Sequence, residues 1–340
     1  MPKELFMPNA ATNTAIAVFE TKIPHNGKDV LFCELKDDGL VLSKNRGRTD
    51  LLNKWETKKK YLLDTINGKN PTDGRFIVRE SIQPDDEWLL QAHSSINYDK
   101  INETTFINSI KNHLVFTLKD KLNILNTEIN EIDIYELIGK NIKKDSVNTS
   151  LNTILLNTDT WKDFKLGINR KDYKKLHKAK KNKILFENLF IFDKGERIVE
   201  YSRISGDTPL ITASSYNNGR TSMIDREDGI ERKKKLYHDK ITIDMFCNVY
   251  FHPYEYFSDD NVHTLSFVNP EYEPYLLNPY INIFLITILS LFKDKFEFGR
   301  QVRLKRLEKL HIKLPVDEAG NPDWIFMENY IKSLPYSSSI

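Results

Sequence analysis

The sequence runs Phe296-Glu-Phe-Gly-Arg-Gln-Val-Arg303 and, after a further basic segment, Leu314-Pro-Val-Asp-Glu-Ala-Gly-Asn-Pro-Asp-Trp-Ile-Phe-Met-Glu-Asn-Tyr-Ile331. This last quarter of the chain places basic residues, a Leu-Pro stop, a Gly-Asn-Pro turn and a short aromatic segment in that order. Proline and glycine at such positions separate one element from the next. The stretch therefore predicts a C-terminal domain that closes with a short helix.

The closing helix is predicted from its cap and from its apolar side. Asp323 can accept hydrogen bonds from the open N–H groups of the first turn, and its charge faces the positive end of the helix dipole. The spacing then places four apolar residues on one side: Trp324, Met327, Ile331 and Leu334. Pro335 should end the helix almost at once.

A second helix is predicted from the most apolar run of the chain, Tyr280 to Phe292. Asn278 and Pro279 supply a cap and a first-turn proline. The run is too short to cross a bilayer of roughly 30 Å. We therefore expect a helix buried inside the protein.

One strand is predicted where residues 241–251 alternate with period two. Its apolar face carries Ile241, Ile243, Met245, Cys247, Val249 and Phe251. The opposite face carries Thr242, Asp244, Asn248 and His252, a polar surface that meets either DNA or only water.

Length predicts two domains, and composition suggests where they divide. Residues 1–66 contain two predicted strands, Thr14–Glu20 and Val30–Leu35, and a predicted helix from Leu51 to Asn67. Two strands do not make a stable sheet alone, so this segment should be the end of something larger. Residues 67–150 read as a mostly helical spacer that ends in the polar linker Lys143–Ser150, and residues 151–340 as the second domain.

The charge of the chain is nearly balanced, at a formal +2, so any nucleic-acid contact must rest on local patches. Three basic clusters occur in the C-terminal half, at residues 170–183, 232–235 and 300–313. Each is either a phosphate-facing segment or a solvated basic face. Cys33 and Cys247 lack neighbours at metal-ligand spacing, so neither a metal site nor a disulfide is expected. The start lacks a signal-peptide pattern, which predicts a cytoplasmic location and no membrane partner.

Three further phrases occur with the closing stretch in a recognisable order: Phe192–Arg197, Thr208–Gly219 and Asp239–Leu265. In this order they resemble the target recognition domain of type I restriction-modification specificity subunits. The resemblance covers about the second half of the chain. It implies an α/β (α+β) fold with a mixed, curved sheet and packed helices, and a non-catalytic role in recognising a DNA sequence.

A second resemblance concerns the opening of the chain. Residues 1–14, 36–40 and 44–50 look like the C-terminal end of an adenine-N6 DNA methyltransferase. The Asn-Pro-Pro-aromatic loop that does that chemistry is missing, as is a Gly-rich turn for S-adenosylmethionine. We therefore expect no catalysis and no cofactor in this chain, with S-adenosylmethionine in a methyltransferase partner. The alternative is that residues 1–66 form an unrelated small cap.

The resemblance to the recognition domain implies a set of DNA contacts. We assign phosphate contacts to Lys194 and Arg197. The candidates for DNA contact on one turn are Tyr216, Asn217, Asn218 and Arg220, and Arg300 and Arg303 are expected beside that turn. Two further candidates lie on the polar strand face, Asn248 and His252. The Asn-Asn-Gly sequence also fits a plain turn, because such turns need residues with positive φ.

The implied partners are double-stranded DNA, a DNA methyltransferase and possible restriction subunits. The chain shows one recognition domain where the familiar subunit carries two. It should therefore read half of a bipartite site, act as a homodimer, or be part of a fused enzyme. The alternative function is a protein-interaction or assembly module that keeps the fold without reading DNA sequence.

Overall fold

The structure, a computed structural model, describes residues 14–43, 46–122, 125, 154–296 and 299–340. The chain forms two compact units, the first ending at Asn97 and the second running from Tyr98 to Ile340. The predicted linker at residues 143–150 lies outside the described residues. The predicted divisions at residues 66 and 150 therefore stay predictions.

The described residues of the first unit form two strand pairs and two helices. Its elements are β1 (Val30–Cys33), β2 (Val41–Ser43), β3 (Gly47–Thr49), α1 (Trp55–Ile66), β4 (Ile77–Glu80) and α2 (Leu90–His93). Strand β1 pairs antiparallel with β4, and β2 with β3. The small core of this unit contains Phe32, Val78 and Ile82.

One of the two strands predicted for the first unit is wrong. Residues 14–20 form no strand, and their apolar side chains Ile16 and Val18 are exposed. Strand β1 pairs with β4 instead, because that partner brings Val78 against Phe32. Helix α1 forms inside the predicted range Leu51–Asn67, and its aromatic side chains Trp55 and Tyr61 are exposed.

The second unit contains a larger set of elements. Its strands are β5 (Lys162–Asn169), β6 (Asn188–Lys194), β7 (Ser205–Ile211), β8 (Arg220–Ile224), β9 (Leu236–Tyr237), β10 (Lys240–Asp244), β11 (Val249–His252), β12 (Tyr256–Ser258), β13 (Val262–Phe267) and β14 (His311–Leu314). Its helices are α3 (Glu103–Lys121), α4 (Arg170–Lys178), α5 (Asn182–Leu185), α6 (Arg226–Glu231), α7 (Pro279–Ser290), α8 (Leu304–Leu307) and α9 (Trp324–Lys332).

These strands form two sheets. One has six strands in the order β11-β10-β13-β6-β5-β14, and the other has four in the order β8-β7-β12-β9. Both are mixed, since β5 pairs with β6 and β7 with β12 in parallel while their other pairings are antiparallel. The predicted α/β class with a mixed sheet and packed helices is confirmed.

The predicted buried helix and the predicted closing helix both form. Asn278 caps α7 by accepting from the backbone N–H of Tyr280 at 3.0 Å. Asp323 caps α9 by accepting from that of Phe326 at 2.8 Å. All four residues expected on the packing side of α9 are buried, and Trp324 lies 5.2 Å from the ring of Phe267 on the six-stranded sheet.

The predicted single strand at residues 241–251 is wrong, because the chain reverses within it. Strands β10 and β11 form a hairpin in which Ile241 faces Phe251. One carboxylate oxygen of Asp244 accepts from the backbone N–H groups of Phe246 and Asn248, at 2.8 and 2.9 Å. Cys247 takes a left-handed φ of 61° in this turn. The side chain of Asp244 thus closes a turn. The period-two alternation of residues 241–251 continues through this turn and therefore gives no sign of it.

Side chains from both sheets meet in a buried region, which we call the interlayer network. Its apolar part contains Tyr256 and Val262, and its polar part contains Thr242, His252, Tyr254, Tyr256 and Thr264. His252 bonds Thr242 at 2.9 Å and Tyr254 at 3.1 Å through its two ring nitrogens. These partners replace water and so offset the cost of burying the polar groups of the network.

Asp193 adds a charged site to this region. Arg170 donates to its two carboxylate oxygens at 2.7 and 2.6 Å, and Lys235 donates to one of them at 2.6 Å. Burial alone would raise the pKa of Asp193, but these hydrogen bonds outweigh burial and hold it below its usual value. Strand β6 and helix α4 are thereby fixed to each other at the start of the basic segment.

Within the described ranges, no single helix has both the length and the apolarity of a membrane span. One pair of helical segments, Pro270–Leu277 and Pro279–Lys295, meets both criteria together but is bent by 101° at its break.

Gly167 lies where β5 approaches β6 too closely for a side chain. An added Cβ would lie 2.4 Å from the backbone oxygen of Phe190 and 2.7 Å from the ring of Phe192. We expect Gly167→Ala to lower the free energy of unfolding by about 1 to 3 kcal/mol, because both neighbours belong to the packed sheet. Gly299→Ala is the control, since a Cβ there meets no described atom within 4 Å. Denaturant unfolding giving equal values for the two variants would contradict this close approach.

Two buried histidines should make the second unit acid-sensitive. Burial lowers the pKa of His252 to about 3 and, with a contribution from nearby Lys194 and Arg303, that of His263 to about 4. Both imidazoles are therefore neutral in the fold, whereas the unfolded chain protonates them below about pH 6.5. Stability is fully present above that pH and is lost as the pH falls toward 4.

The variant His263→Leu tests this sign, because neither ring nitrogen of His263 has a partner among the described residues. We expect it to reduce the slope of unfolding free energy against pH by up to about 1.4 kcal/mol per pH unit between pH 4 and 6.5. His311→Leu, at an exposed position, controls for the loss of an imidazole. An unchanged slope in His263→Leu would show that this histidine is not held neutral.

Candidate nucleic-acid interface

The candidate reading turn, residues 216–220, joins β7 to β8. Asn217, Asn218 and Gly219 have successive φ values of 48°, 52° and 78°. The N–H of Gly219 donates to Tyr216 at 2.8 Å, and the N–H of Thr212 donates to Gly219 at 2.9 Å. Asparagine and glycine are the residues that tolerate this conformation. The turn therefore accounts for the Asn-Asn-Gly sequence by itself, and base reading by its side chains stays a prediction.

The side chains of the reading turn differ in what they contact. Tyr216 is 77% exposed, and Asn218 is partly exposed. Asn217 donates from its amide to the backbone oxygen of Leu125 at 2.9 Å. Arg220 pairs with Asp120 at the end of α3 and donates to the sulfur of Met223 at 3.2 Å. Sequence reasoning missed Asp120, which lies a hundred residues away and carries no local signal.

An open cavity of about 310 Å³ lies beside Arg220. Its lining includes Asp120, Asp207, Met223, Tyr254 and Glu255. Three of these five side chains are acidic. The guanidinium of Arg220 thus lies at the edge of a space that is large enough for it to change position.

The proposed phosphate residues Lys194 and Arg197 are exposed. Lys194 ends β6 and faces His263 across the strand pair, and Arg303 is also close enough to His263 to lower its pKa. Lys194 and the exposed Arg303 therefore lie in one region of the surface. Both cations are exposed, and contact of either with DNA stays a prediction.

Arg300 does not fit the predicted role as a surface contact, because it is only 4% exposed. Its guanidinium donates to the backbone oxygen of Lys295 at 2.7 Å and lies 5.0 Å from the ring centre of Phe296. Arginine can be buried when its charge is paired in this way. The prediction took its charge as a sign of exposure, and that is wrong for this residue.

The predicted polar face that includes Asn248 and His252 is also wrong as a surface. Both residues are buried. Asn248 donates to Asp244 at 2.7 Å and accepts from Lys293 at 2.9 Å. His252 belongs to the interlayer network. In this fold the polar groups of both residues serve internal hydrogen bonds, and neither is placed to reach a duplex.

The basic segment at residues 170–183 begins with an ordered helix, α4. Asn169 caps it by accepting from the N–H of Asp172 at 2.9 Å. Tyr173 and Leu176 pack against a buried cluster that contains Leu185 and Ile191. The opposite side carries exposed lysines, at positions 171, 174, 175 and 178. This helix therefore presents a basic face to solvent. In the sequence, the three-residue spacing of Tyr173 and Leu176 indicates which side of the helix packs and which side is exposed.

Comparisons with known proteins bear on the second unit. Residues 186–335 match the family model of the type I restriction modification DNA specificity domain. Over 190 residues the chain is 24% identical to the type II restriction enzyme BgcI specificity subunit S.BcgI of Heyndrickxia coagulans, covering 55% of this chain and 53% of that protein. These matches confirm the resemblance of the C-terminal half to restriction-modification specificity domains.

Among solved structures, the chain is similar to the S subunit of a type I restriction-modification system from M. genitalium. The identity is 12% and the TM-score 0.34, over 68% of this chain and 50% of that one. The chain thus spans about half the length of the curated relative and of the solved structure that it matches.

Proposed function

We propose, from the match of residues 186–335 to a DNA specificity domain, that this chain recognises a DNA sequence as the specificity part of a restriction-modification system. That match is the observation that carries the proposal. The matched family is a specificity domain, so the role that we assign is recognition and not catalysis. The bound ligand is double-stranded DNA.

The arrangement of charge in the second unit supports this function. The exposed lysines of α4 offer a basic face on a rigid helix, and Lys194, Arg197 and Arg303 add exposed cations on other elements. Cations of this kind hold a protein on the phosphate backbone, and they release counterions as they do so. Sequence would then be read by other side chains, for which the exposed Tyr216 and the partly exposed Asn218 are candidates.

The proposed assembly follows from the kind of domain that is matched. A specificity part acts with a DNA methyltransferase, which would hold S-adenosylmethionine, and with restriction subunits. One recognition domain reads one half of a bipartite site, so a homodimer or a second domain would read the other half. We place this function in the cytoplasm, where the DNA is.

Duplex binding with and without a random competitor tests the proposal. A labelled pool of duplexes is titrated with the chain, and an excess of random duplex is then added. Sequence-specific recognition leaves a fraction of complexes that resists the competitor. If all binding is lost to the competitor, or if no duplex binds, the chain does not read DNA sequence and an assembly role becomes the better account.

The lysines of α4 should act through phosphate alone. We expect the triple variant Lys171→Gln, Lys174→Gln, Lys178→Gln to weaken binding to every duplex alike. The slope of log affinity against log salt should flatten by about one unit for each lost contact. A salt titration by fluorescence anisotropy measures both effects.

The matched control for this triple variant replaces Lys58, Lys59 and Lys60 of α1 by Gln. It removes the same charge from the first unit and should leave the salt slope unchanged. Equal slopes for the two triple variants would show that the lysines of α4 do not contact DNA.

Asn218 should contribute to sequence specificity and not to the binding of DNA in general. We expect Asn218→Gly to cost about 1 to 3 kcal/mol on the preferred duplex and to leave binding to random duplex unchanged, because a base-edge contact penalises one base pair. Glycine is chosen because it keeps the left-handed φ of 52° without strain. Asn53→Gly, which also has a φ of 52°, is the control. A loss that is equal on both duplexes, or no loss, would rule out base reading by Asn218.

A further inference from the structure

The end of helix α3 holds the reading turn at two points. The carboxylate of Asp120 pairs with the guanidinium of Arg220, and the backbone oxygen of Leu125 accepts from the amide of Asn217. These contacts join parts of the chain that are a hundred residues apart in sequence. Two of the four side chains assigned to base reading on this turn are therefore engaged inside the protein.

The ion pair between Arg220 and Asp120 is partly shielded from water, and Asp120 lies in the last turn of a helix that is packed at its other end. The side chain of Arg220 is 17% exposed and that of Asp120 is 34% exposed, so water screens them only in part. Helix α3 is also fixed at its other end, where Phe106 lies 4.9 Å from Phe284 and Ser109 bonds Thr287 at 2.7 Å. Asp120 therefore extends from the last turn of a helix whose other end packs against α7.

The chemistry of arginine makes this pair a competitor of DNA. A guanidinium offers paired N–H donors, which match the two oxygens of a carboxylate and also the O6 and N7 acceptors of guanine in the major groove. Arg220 donates from Nη1 to one carboxylate oxygen of Asp120 and from Nε to the sulfur of Met223, so these two donors are not available to a base at the same time. The open cavity beside Arg220 provides space for the guanidinium to leave the carboxylate.

We propose that Asp120 is an internal competitor for Arg220 and that a guanine of the recognised duplex displaces it. This inference rests on the proposed function, and it adds the base that Arg220 reads and the residue that restrains it. Binding to the preferred duplex must then break the ion pair. The apparent affinity is therefore the intrinsic affinity multiplied by the fraction of molecules in which Arg220 is free. Non-specific binding leaves the pair intact, because it needs no base contact.

The test compares Asp120→Asn with Asp207→Asn. Both variants remove one negative charge from the lining of the same cavity, but only the first acts on the partner of Arg220. We expect Asp120→Asn to tighten binding to the preferred duplex by about tenfold, within the range of ordinary coupling energies. Random duplex should gain less, and Asp207→Asn should change either duplex by less than about threefold.

The same pair of variants is repeated in the background Arg220→Ala. If Asp120 acts through Arg220, the gain from Asp120→Asn disappears there, as in any double-mutant cycle of two contacting residues. A gain that survives in Arg220→Ala, or one that is equal on preferred and random duplexes, would overturn the proposal. So would equal effects of Asp120→Asn and Asp207→Asn.

A measurement without DNA separates this inference from the proposed function. The backbone N–H groups of Thr212 and Gly219 are hydrogen-bonded within the turn. We expect Asp120→Asn to speed their hydrogen exchange, whereas Asp207→Asn should not. Faster exchange with no duplex binding by any variant would leave the restraint in place and overturn DNA reading. Unchanged exchange in Asp120→Asn would overturn the restraint even if the wild-type chain binds DNA.

Discussion

Helix α7 offers almost no polar side to water, and the second unit is arranged around its burial. Ile281, Ile283, Phe284 and Leu285 are all buried, although they point in different directions around the helix. Such a helix must be covered on every side. Strand β11 of the six-stranded sheet packs against one part of α7, and helices α3 and α9 pack against the others. The position of α3 is thereby fixed, and with it the carboxylate that reaches the reading turn.

Asp193 and its two cationic partners, Arg170 and Lys235, fix the orientation of α4 more than they stabilise the fold. Asp193 is buried and takes hydrogen bonds from Arg170 and Lys235. Burying a charge is costly, and its pairing often does no more than offset that cost. The pairing still decides orientation, because Arg170 is the first residue of α4 and must turn inward. The lysines that follow it are then directed to the surface, where a phosphate backbone could be met.

Local signals in the sequence predicted the elements whose determinants are local. Each of the caps Asn278 and Asp323 lies directly before the apolar run that it starts, so the sequence predicts α7 as a buried helix and α9 together with its packing side. The hairpin of β10 and β11 was missed because a side chain, that of Asp244, closes the turn without a glycine or proline. Non-local contacts were missed for a general reason. Neither the pairing of β1 with β4, nor the burial of Arg300, nor the contact of Asp120 with Arg220 leaves a periodic trace in the sequence.

The account depends on whether this chain reads bases at all, and enrichment from a randomised duplex pool measures that directly. The full chain is incubated with the pool at physiological salt, bound duplexes are recovered, and several rounds are sequenced against the input. The account predicts that a defined site emerges, with fixed bases in one half and a guanine among them. A bound fraction whose sequences are as random as the input would contradict it, since phosphate contacts alone would then explain all binding.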